Sequence, residues 1–154
     1  MDSPFTWPVR VYYEDTDTGG VVFYANYLKF FERARTEWLR SGGIEQSTLA
    51  DTFGIMFVVM RTAVDYHAPA KLDNELKLTV VVETLGRASV EFRQQAWRVG
   101  NGSPTQDGLA ATALVQPAPV LLATASIKVA CVDRHSFRPR ALPEMVLQFI
   151  KTSC

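Results

Sequence analysis

The chain has 154 residues and a mass of 17.2 kDa. Its composition, with 47% hydrophobic and 21% charged residues, is typical of a globular protein with one core. Its 16 basic and 16 acidic residues give a formal net charge of +0, which argues against binding to nucleic acids or anionic membranes. No apolar run reaches the ~20 residues of a membrane-spanning helix, and the N-terminus lacks a signal-peptide pattern. Two cysteines, Cys131 and Cys154, are too few for a disulfide framework. We therefore expect a single cytoplasmic domain over residues 1–154, without membrane insertion.

The first predicted elements are a short strand and a long helix. Residues 9–13 alternate in side-chain character with the period of a strand. Residues 26–40 change to a helical period, with Asn26 as the expected N-cap and Gly42-Gly43 as the expected stop. Arg35 lies beside the apolar face of this helix, where we expect a structural ion pair or, as the alternative, a contact with a phosphate. The apolar face carries Tyr27, Phe30, Phe31, Ala34 and Trp38.

Four segments rich in β-branched residues follow, with no helix predicted between them. One long helix wrapped by a curved antiparallel sheet of about five strands, an α+β fold, fits this order. We expect residues 100–119 to form an extended loop or to lengthen a hairpin. Residues 138–150 are expected to run extended and then to form a short helix. The predicted strands are residues 55–66, 75–85, 88–99 and 121–133.

The most informative stretch is "VYYEDTDTGGVVFYANYLKFFERARTEWLR", residues 11–40, in which three acids and two glycines precede the predicted helix. A calcium loop counted from Asp15 fails, because its fifth and twelfth positions are Gly19 and Asn26. A phosphatase-type D-x-D loop needs a parallel sheet with crossover helices, which the strand segments here do not provide. A carboxylate ahead of a helix N-terminus, where free N–H groups stabilise a developing oxyanion, suits acyl transfer. An ordinary connector with a cap explains the same residues and stays open.

With this stretch the chain resembles the hotdog-fold acyl-CoA thioesterases of the 4-hydroxybenzoyl-CoA thioesterase family. Within that family it is most similar to the Tol-Pal system-associated acyl-CoA thioesterase subgroup. The resemblance spans nearly the whole chain and agrees with the predicted order of elements. It implies a hotdog fold and the hydrolysis of acyl-CoA or acyl-carrier-protein thioesters to free acid and thiol. Supporting segments are "FVV" (57–59), "YHAPAKLDN" (66–74), "CVD" (131–133) and "RPRALP" (138–143).

The resemblance also assigns roles to residues. Asp17 matches the catalytic carboxylate, which acts as general base or nucleophile. Tyr24 matches the residue at the helix start whose backbone N–H polarises the thioester carbonyl. Many subgroup members carry histidine there, and the backbone role survives the change because tyrosine also has an N–H group. Tyr13 matches a tyrosine that lines the same site, and Gly20 lets a substrate carbonyl approach the backbone closely.

Partners and cofactors follow from the same resemblance. It implies dimers whose sheets join edge to edge, with acyl-CoA sites between subunits, and the active form is either this dimer or a tetramer made of two such dimers. Coenzyme A is part of the substrate, so no separate cofactor is expected. The histidines His67 and His135 show no zinc spacing with the cysteines, so no metal site is expected either. Candidate cationic contacts for the CoA phosphates are Arg61, Arg87, Arg138 and Arg140.

Two other functions compete with thioester hydrolysis. A non-catalytic acyl-thioester-binding or scaffold protein of the cell envelope would use the same fold and pocket without turnover. A hotdog dehydratase is expected to need an Asp–His pair, and no histidine lies near Asp17 in the sequence. We therefore predict a thioesterase, with the binding protein as the alternative.

Overall fold

The computed structural model describes residues 4–100 and 118–153. The predicted loop or hairpin at 100–119 lies outside these ranges except at its two ends. Single short helical turns occur at Tyr13–Asp15, Gln46–Thr48 and Leu49–Phe53. The strands and longer helices of the described residues are β1 (Phe5–Arg10), α1 (Asn26–Ser41), β2 (Ile55–Tyr66), β3 (Glu75–Leu85), β4 (Ser89–Val99), β5 (Val120–Asp133) and α2 (Glu144–Ser153).

The strands form one antiparallel sheet with the order β1-β3-β4-β5-β2. The register of β2 against β5 shifts between Val59 and Arg61, and that of β3 against β4 shifts between Val82 and Thr84. Such irregularities increase the local twist of a strand, so they help the sheet to curve around α1. The architecture is the predicted α+β hotdog fold, with one long helix wrapped by a curved five-stranded sheet.

The core lies between α1 and the concave face of the sheet. All five predicted apolar positions of α1 are buried, and Leu39 joins them. The strands contribute alternating side chains, of which Leu76 and Leu78 of β3 are fully buried at 0% exposure. Full burial of each such side chain stabilises the fold by about 1.5–3 kcal/mol. Burial of its aromatic face therefore fixes the position of α1 against the sheet.

The predicted first strand, residues 9–13, is wrong in its position. β1 covers Phe5–Arg10, and its last pair joins Arg10 to Glu75. Beyond this pair, the backbone N–H of Tyr12 donates to the Asp15 carboxylate, 2.8 Å away, instead of to a neighbouring strand. The chain consequently leaves the sheet earlier than the alternating pattern indicates.

The predicted N-cap of α1 is also wrong. Ala25 occupies the N-cap position with φ −71° and ψ −19°, and its side chain caps nothing. Asn26 is the first helical residue, and its side-chain amide donates to the backbone oxygen of Asp15 at 2.8 Å. The predicted stop is confirmed, because Gly42 ends the helix and Gly43 follows with φ +77°.

The edge strand β2 has a free side. It pairs with β5 alone among the strands of the described chain, so its other edge carries unpaired backbone groups. Val59 and Met60, in the middle of β2, are 52% and 63% exposed.

Neither helix of the described residues is long and apolar enough to span a membrane.

Candidate active site

Asp17 lies on a tight hairpin just before α1, and Glu14 and Asp15 belong to the single helical turn that precedes this hairpin. Thr16 pairs with Val22, and the Asp17 N–H donates to the Val21 oxygen at 2.9 Å. The Gly20 N–H closes the turn by donating to the Asp17 oxygen at 3.0 Å. Gly20 has φ +81°, a left-handed conformation that costs a residue with a side chain about 1–2 kcal/mol. The turn therefore favours glycine at this position.

The Asp17 carboxylate is exposed and oriented by backbone groups. Its Oδ1 accepts hydrogen bonds from the N–H groups of Gly19, at 2.8 Å, and Val21, at 3.4 Å. Its Oδ2 has no hydrogen-bond partner in the described part of the chain. One oxygen thus holds the side chain in place, and the other is available to a water molecule or a substrate.

Asp15, two residues earlier, is committed to structure. It is 5% exposed, its Oδ2 accepts the Tyr12 N–H, and its Oδ1 lies 4.0 Å from the Lys29 ammonium. Its backbone oxygen accepts both the Phe23 N–H, at 3.0 Å, and the Asn26 amide, at 2.8 Å. Asp15 consequently joins the hairpin to the first turn of α1.

The start of α1 offers free donors. The N–H groups of Asn26, Tyr27 and Leu28 are bonded to the oxygens of the residues three positions before each of them. Among the described residues, no acceptor bonds the backbone N–H of Tyr24 or Ala25. Unpaired N–H groups at a helix N-terminus, at the positive end of the helix dipole, stabilise an anion. Tyr24 therefore lies just before α1, and its backbone N–H has no acceptor among the described residues.

A tyrosine cluster surrounds this helix start. The Tyr66 hydroxyl donates to the Tyr24 backbone oxygen at 2.9 Å, and the Tyr66 ring lies 6.2 Å from the Tyr24 ring and 5.5 Å from the Tyr27 ring. Burial, with a smaller contribution from Tyr66, raises the pKa of Tyr27 to about 12. Burial followed by the nearby Tyr24 also raises the pKa of Tyr66. Both hydroxyls are consequently protonated near neutral pH, and that of Tyr66 acts as a donor.

These tyrosines line a cavity of about 330 Å³ at the helix start. His67 also lines it, and the Nε2 atom of this ring lies 3.1 Å from the Thr124 hydroxyl. Tyr66 was not predicted as a site residue, since its contact with Tyr24 joins positions 42 residues apart. Its only local signal was its place in the "YHAPA" segment at the end of a strand.

Tyr13 and Gly20 lie on the same loop as Asp17, but this cavity includes none of the three. Tyr13 belongs to the single turn Tyr13–Asp15, and its side chain is 83% exposed. Its backbone oxygen accepts the Thr16 hydroxyl at 2.8 Å. Within one chain, the structure therefore brings Tyr24 together with Tyr66 and leaves Tyr13 at the solvent-facing side of the loop.

The four candidate arginines fall into two groups. Arg61 and Arg140 already form ion pairs, with Glu91 at 3.2 Å and with Asp133 at 2.9 Å. Backbone N–H groups of Ser136 and His135, followed by Arg140, lower the pKa of Asp133 to about 2. Arg87 and Arg138 are exposed, and their guanidinium groups form no hydrogen bond or ion pair with the residues the structure describes.

Two of these arginines, Arg138 and Arg140, lie far from the tyrosine cluster at the helix start. Arg138 and Arg140 follow the end of β5, where Asp133 pairs with Ile55 at the start of β2. The tyrosine cluster lies at Tyr66, the other end of the same strand. A strand of 12 residues spans roughly 35 Å, so the two regions of one chain lie too far apart to be adjacent.

No group of three or more potential metal ligands occurs within residues 4–100 and 118–153.

The predicted ion pair of Arg35 is wrong. Among the described residues its guanidinium donates to the side-chain oxygen of Gln94 instead, at 2.9 Å. The buried Gln94 was a second residue that sequence analysis missed.

The structure is a hotdog fold with an exposed carboxylate on the hairpin that leads into α1. Residues 19–105 match the sequence profile of the family described as the Thioesterase superfamily. The chain belongs to this family.

Similar proteins cover nearly the whole chain. The acyl-CoA thioesterase YbgC of Haemophilus influenzae is 41% identical over 95% of this chain and 93% of its own length. The protein of the same name from Helicobacter pylori is 31% identical over 92% of this chain and 96% of its own. The crystal structure of a probable thioesterase from Bartonella henselae superimposes with a TM-score of 0.74 and 30% identity, covering 92% of this chain and 100% of that one.

Proposed function

We propose that this protein hydrolyses acyl-CoA thioesters to a free carboxylic acid and coenzyme A. Its relatives at 41% and 31% identity are named acyl-CoA thioesterases, and they match it over more than nine-tenths of its length. The observation that carries the proposal is the exposed Asp17 carboxylate, fixed by backbone N–H groups on the hairpin that leads into α1. An acyl-carrier-protein thioester, which has the same reacting bond, is the alternative substrate.

The proposed reaction needs water as its only co-reactant, and therefore no cofactor. As general base, Asp17 takes a proton from water while the water oxygen bonds to the carbonyl carbon. As nucleophile, its free Oδ2 attacks that carbon first, and water then hydrolyses the acyl-enzyme anhydride. In either case the carbon–sulfur bond breaks, and the departing thiolate takes up a proton. The Tyr24 N–H donates to the carbonyl oxygen as it gains charge. Gly20 and Tyr13 border the approach to Asp17.

We further propose that the active protein is a homodimer joined through the free edge of β2. Antiparallel pairing of two β2 strands around a two-fold axis would bring the start of each strand to the end of the other. That arrangement would place Arg87 and Arg138 of one subunit nearer to the Asp17 hairpin of its partner. The exposed Val59 and Met60 give this edge an apolar surface to cover. Pairing of two such dimers would give a tetramer.

The likeness of residues 11–40 to the Tol-Pal-associated subgroup supports two proposals about setting. We propose that the protein works in the cytoplasm as one domain over residues 1–154. We also propose that its activity is linked to the Tol-Pal system of the cell envelope.

Contacts of Arg61 and Arg140 with the phosphates of coenzyme A would require the present ion pairs of these two arginines to open.

The test is thiol release from short-chain, long-chain and aromatic acyl-CoAs by the wild-type protein, with acyl-CoA binding to Asp17→Asn measured in parallel. We expect turnover by the wild type and binding without turnover by the variant. Binding without turnover by the wild type itself would favour the non-catalytic envelope protein. Equal turnover by both proteins would exclude Asp17 as the reacting group.

A further inference from the structure

The end of β2 carries a tyrosine that contacts the backbone just before α1. The Tyr66 hydroxyl donates to the backbone oxygen of Tyr24 at 2.9 Å. The Tyr66 ring also stands edge-on to two other rings, with interplanar angles of 83° to Tyr24 and 65° to Tyr27. One hydrogen bond and two ring contacts therefore hold this phenol in a single orientation at the helix start.

The backbone that carries Tyr66 is fixed by its own hydrogen bonds. Tyr66 forms the last pair of β2 with β5, opposite Ala123. The N–H of the next residue, His67, donates to the Leu122 oxygen at 2.7 Å, and its ring Nε2 lies 3.1 Å from the Thr124 hydroxyl. A side chain mounted on a paired strand is placed more precisely than one on a loop. The Tyr66 hydroxyl consequently reaches the helix start from a rigid element.

The peptide group that joins Tyr24 to Ala25 has one bonded end and one free end. Its oxygen accepts the Tyr66 hydroxyl and, at the longer distance of 3.4 Å, the Tyr27 N–H. Its N–H, which belongs to Ala25, has no acceptor among the residues that the structure describes. In a planar trans peptide group the C=O and the N–H point in opposite directions. The bond from Tyr66 therefore fixes the direction of the free Ala25 N–H.

The same bond makes this N–H a stronger donor. A hydrogen bond accepted by a carbonyl oxygen polarises the whole peptide group, and such chains strengthen each bond by about 10–30%. Burial, followed by the nearby Tyr24, raises the pKa of Tyr66, so its hydroxyl keeps its proton near neutral pH. The Ala25 N–H also lies at the positive end of the dipole of α1. Orientation, polarisation and the helix dipole thus act together on one free donor.

This donor is next along the chain to the free N–H of Tyr24, which the proposed reaction already uses. Donors that are oriented before the reaction stabilise a developing oxyanion without reorganisation. We propose that Tyr66 is a positioning residue, whose hydroxyl orients and polarises the Tyr24–Ala25 peptide group so that the Ala25 N–H is a second donor to the thioester carbonyl oxygen. This inference rests on the proposed hydrolysis of acyl-CoA. Tyr66 itself does not touch the reacting atoms in this role.

The first measurement compares kcat and KM for benzoyl-CoA and hexanoyl-CoA in the wild type, Tyr66→Phe and Tyr12→Phe. Tyr66→Phe keeps the ring and removes only the hydroxyl, so its melting temperature should change little. We expect kcat to fall about tenfold with KM unchanged, because one donor is weakened, whereas complete removal of an oxyanion donor costs at least about 100-fold. Tyr12→Phe is the matched control and should keep the wild-type values, since Tyr12 is 61% exposed and lies outside the tyrosine-lined cavity.

The second measurement observes the substrate carbonyl directly. Benzoyl-CoA with an isotope label at the thioester carbonyl is bound to Asp17→Asn and to the double variant that also carries Tyr66→Phe. Infrared difference spectra then give the carbonyl stretching frequency of the bound ester. Hydrogen bonds to the carbonyl oxygen lower this frequency, so we expect a lower value in Asp17→Asn than in the double variant. A purely structural role of Tyr66 would not move this band.

Wild-type kcat in Tyr66→Phe would overturn the inference and leave the proposed hydrolysis intact. A lower kcat with the same carbonyl frequency in both Asp17→Asn proteins would also overturn it, because Tyr66 would then only hold the helix start in place. A raised KM with unchanged kcat would assign Tyr66 to substrate binding and would overturn it too. A carbonyl frequency that depends on Tyr66, in a protein whose wild type binds benzoyl-CoA without turnover, would support the second donor while contradicting the proposed function.

Discussion

The loop before α1 has two halves that use the same residue type in opposite ways. In the first half, Asp15 is 5% exposed. Its carboxylate accepts the Tyr12 N–H, and its backbone oxygen accepts the side-chain amide of Asn26 at the start of α1. In the second half, Asp17 is exposed, and among the residues that the structure describes only its Oδ1 accepts hydrogen bonds. A carboxylate whose partners are all supplied by the fold stabilises the fold. A carboxylate held through one oxygen remains open to chemistry.

The largest expected effect is on turnover. Asp17→Asn removes the base or nucleophile and should lower kcat for acyl-CoA hydrolysis by at least ~100-fold. The amide oxygen can still accept the Gly19 N–H, so the melting temperature should change little. Glu14→Gln is the matched control, since Glu14 is an exposed acid of the same loop, and it should retain wild-type kcat. A large loss of kcat in Glu14→Gln would contradict the assignment of catalysis to Asp17 alone among the acids of this loop.

A smaller but clear effect is expected on stability. Asp15→Ala removes the nearly buried carboxylate that accepts the Tyr12 N–H, and the loss of a hydrogen bond to a charged group costs about 1.5–3 kcal/mol. Denaturation in urea should show this loss as a lower midpoint with an unchanged slope. Glu14→Ala in the same experiment should stay within about 0.5 kcal/mol of the wild type, as exposed substitutions usually do. A wild-type midpoint for Asp15→Ala would contradict the structural role of this residue.

The smallest effects separate the two glycines of the hairpin. Gly20→Ala forces a side chain into φ +81° and should cost about 1 kcal/mol in the free energy of unfolding, although nothing lies within 4 Å of the added Cβ. At Gly19 an added Cβ would lie 3.2 Å from Asp17 Oδ1, so Gly19→Ala should displace the carboxylate and lower kcat with less effect on stability. Urea denaturation and thiol release measured on both variants check this contrast. The same loss of stability in both would contradict it.

The sequence predicted the elements whose signals are local. The stop of α1 at Gly42 and the four strands 55–66, 75–85, 88–99 and 121–133 are confirmed to within a residue, because side-chain period and turn residues act over short distances. The end of β1 and the helix cap were predicted wrongly, because Asp15 takes the bonds that the local pattern assigns elsewhere.

Contacts between distant positions could not be predicted in the same way. Tyr66 reaches Tyr24 across 42 positions, and Arg35 reaches Gln94 across 59. Nothing in the local sequence distinguishes an arginine that will face a glutamine from one that will find a carboxylate. Likewise, three acids within four positions indicated a site, but only the folded loop shows which acid is buried.

The most direct test measures turnover and melting temperature together for the wild type, Asp17→Asn and Asp15→Ala. We expect Asp17→Asn to melt with the wild type and to have lost acyl-CoA hydrolysis. Asp15→Ala should melt at a lower temperature, because it loses the acceptor of the Tyr12 N–H, but should still hydrolyse acyl-CoA at temperatures where it is folded. Hydrolysis at the wild-type rate by Asp17→Asn would contradict the assignment of the reaction to the exposed carboxylate.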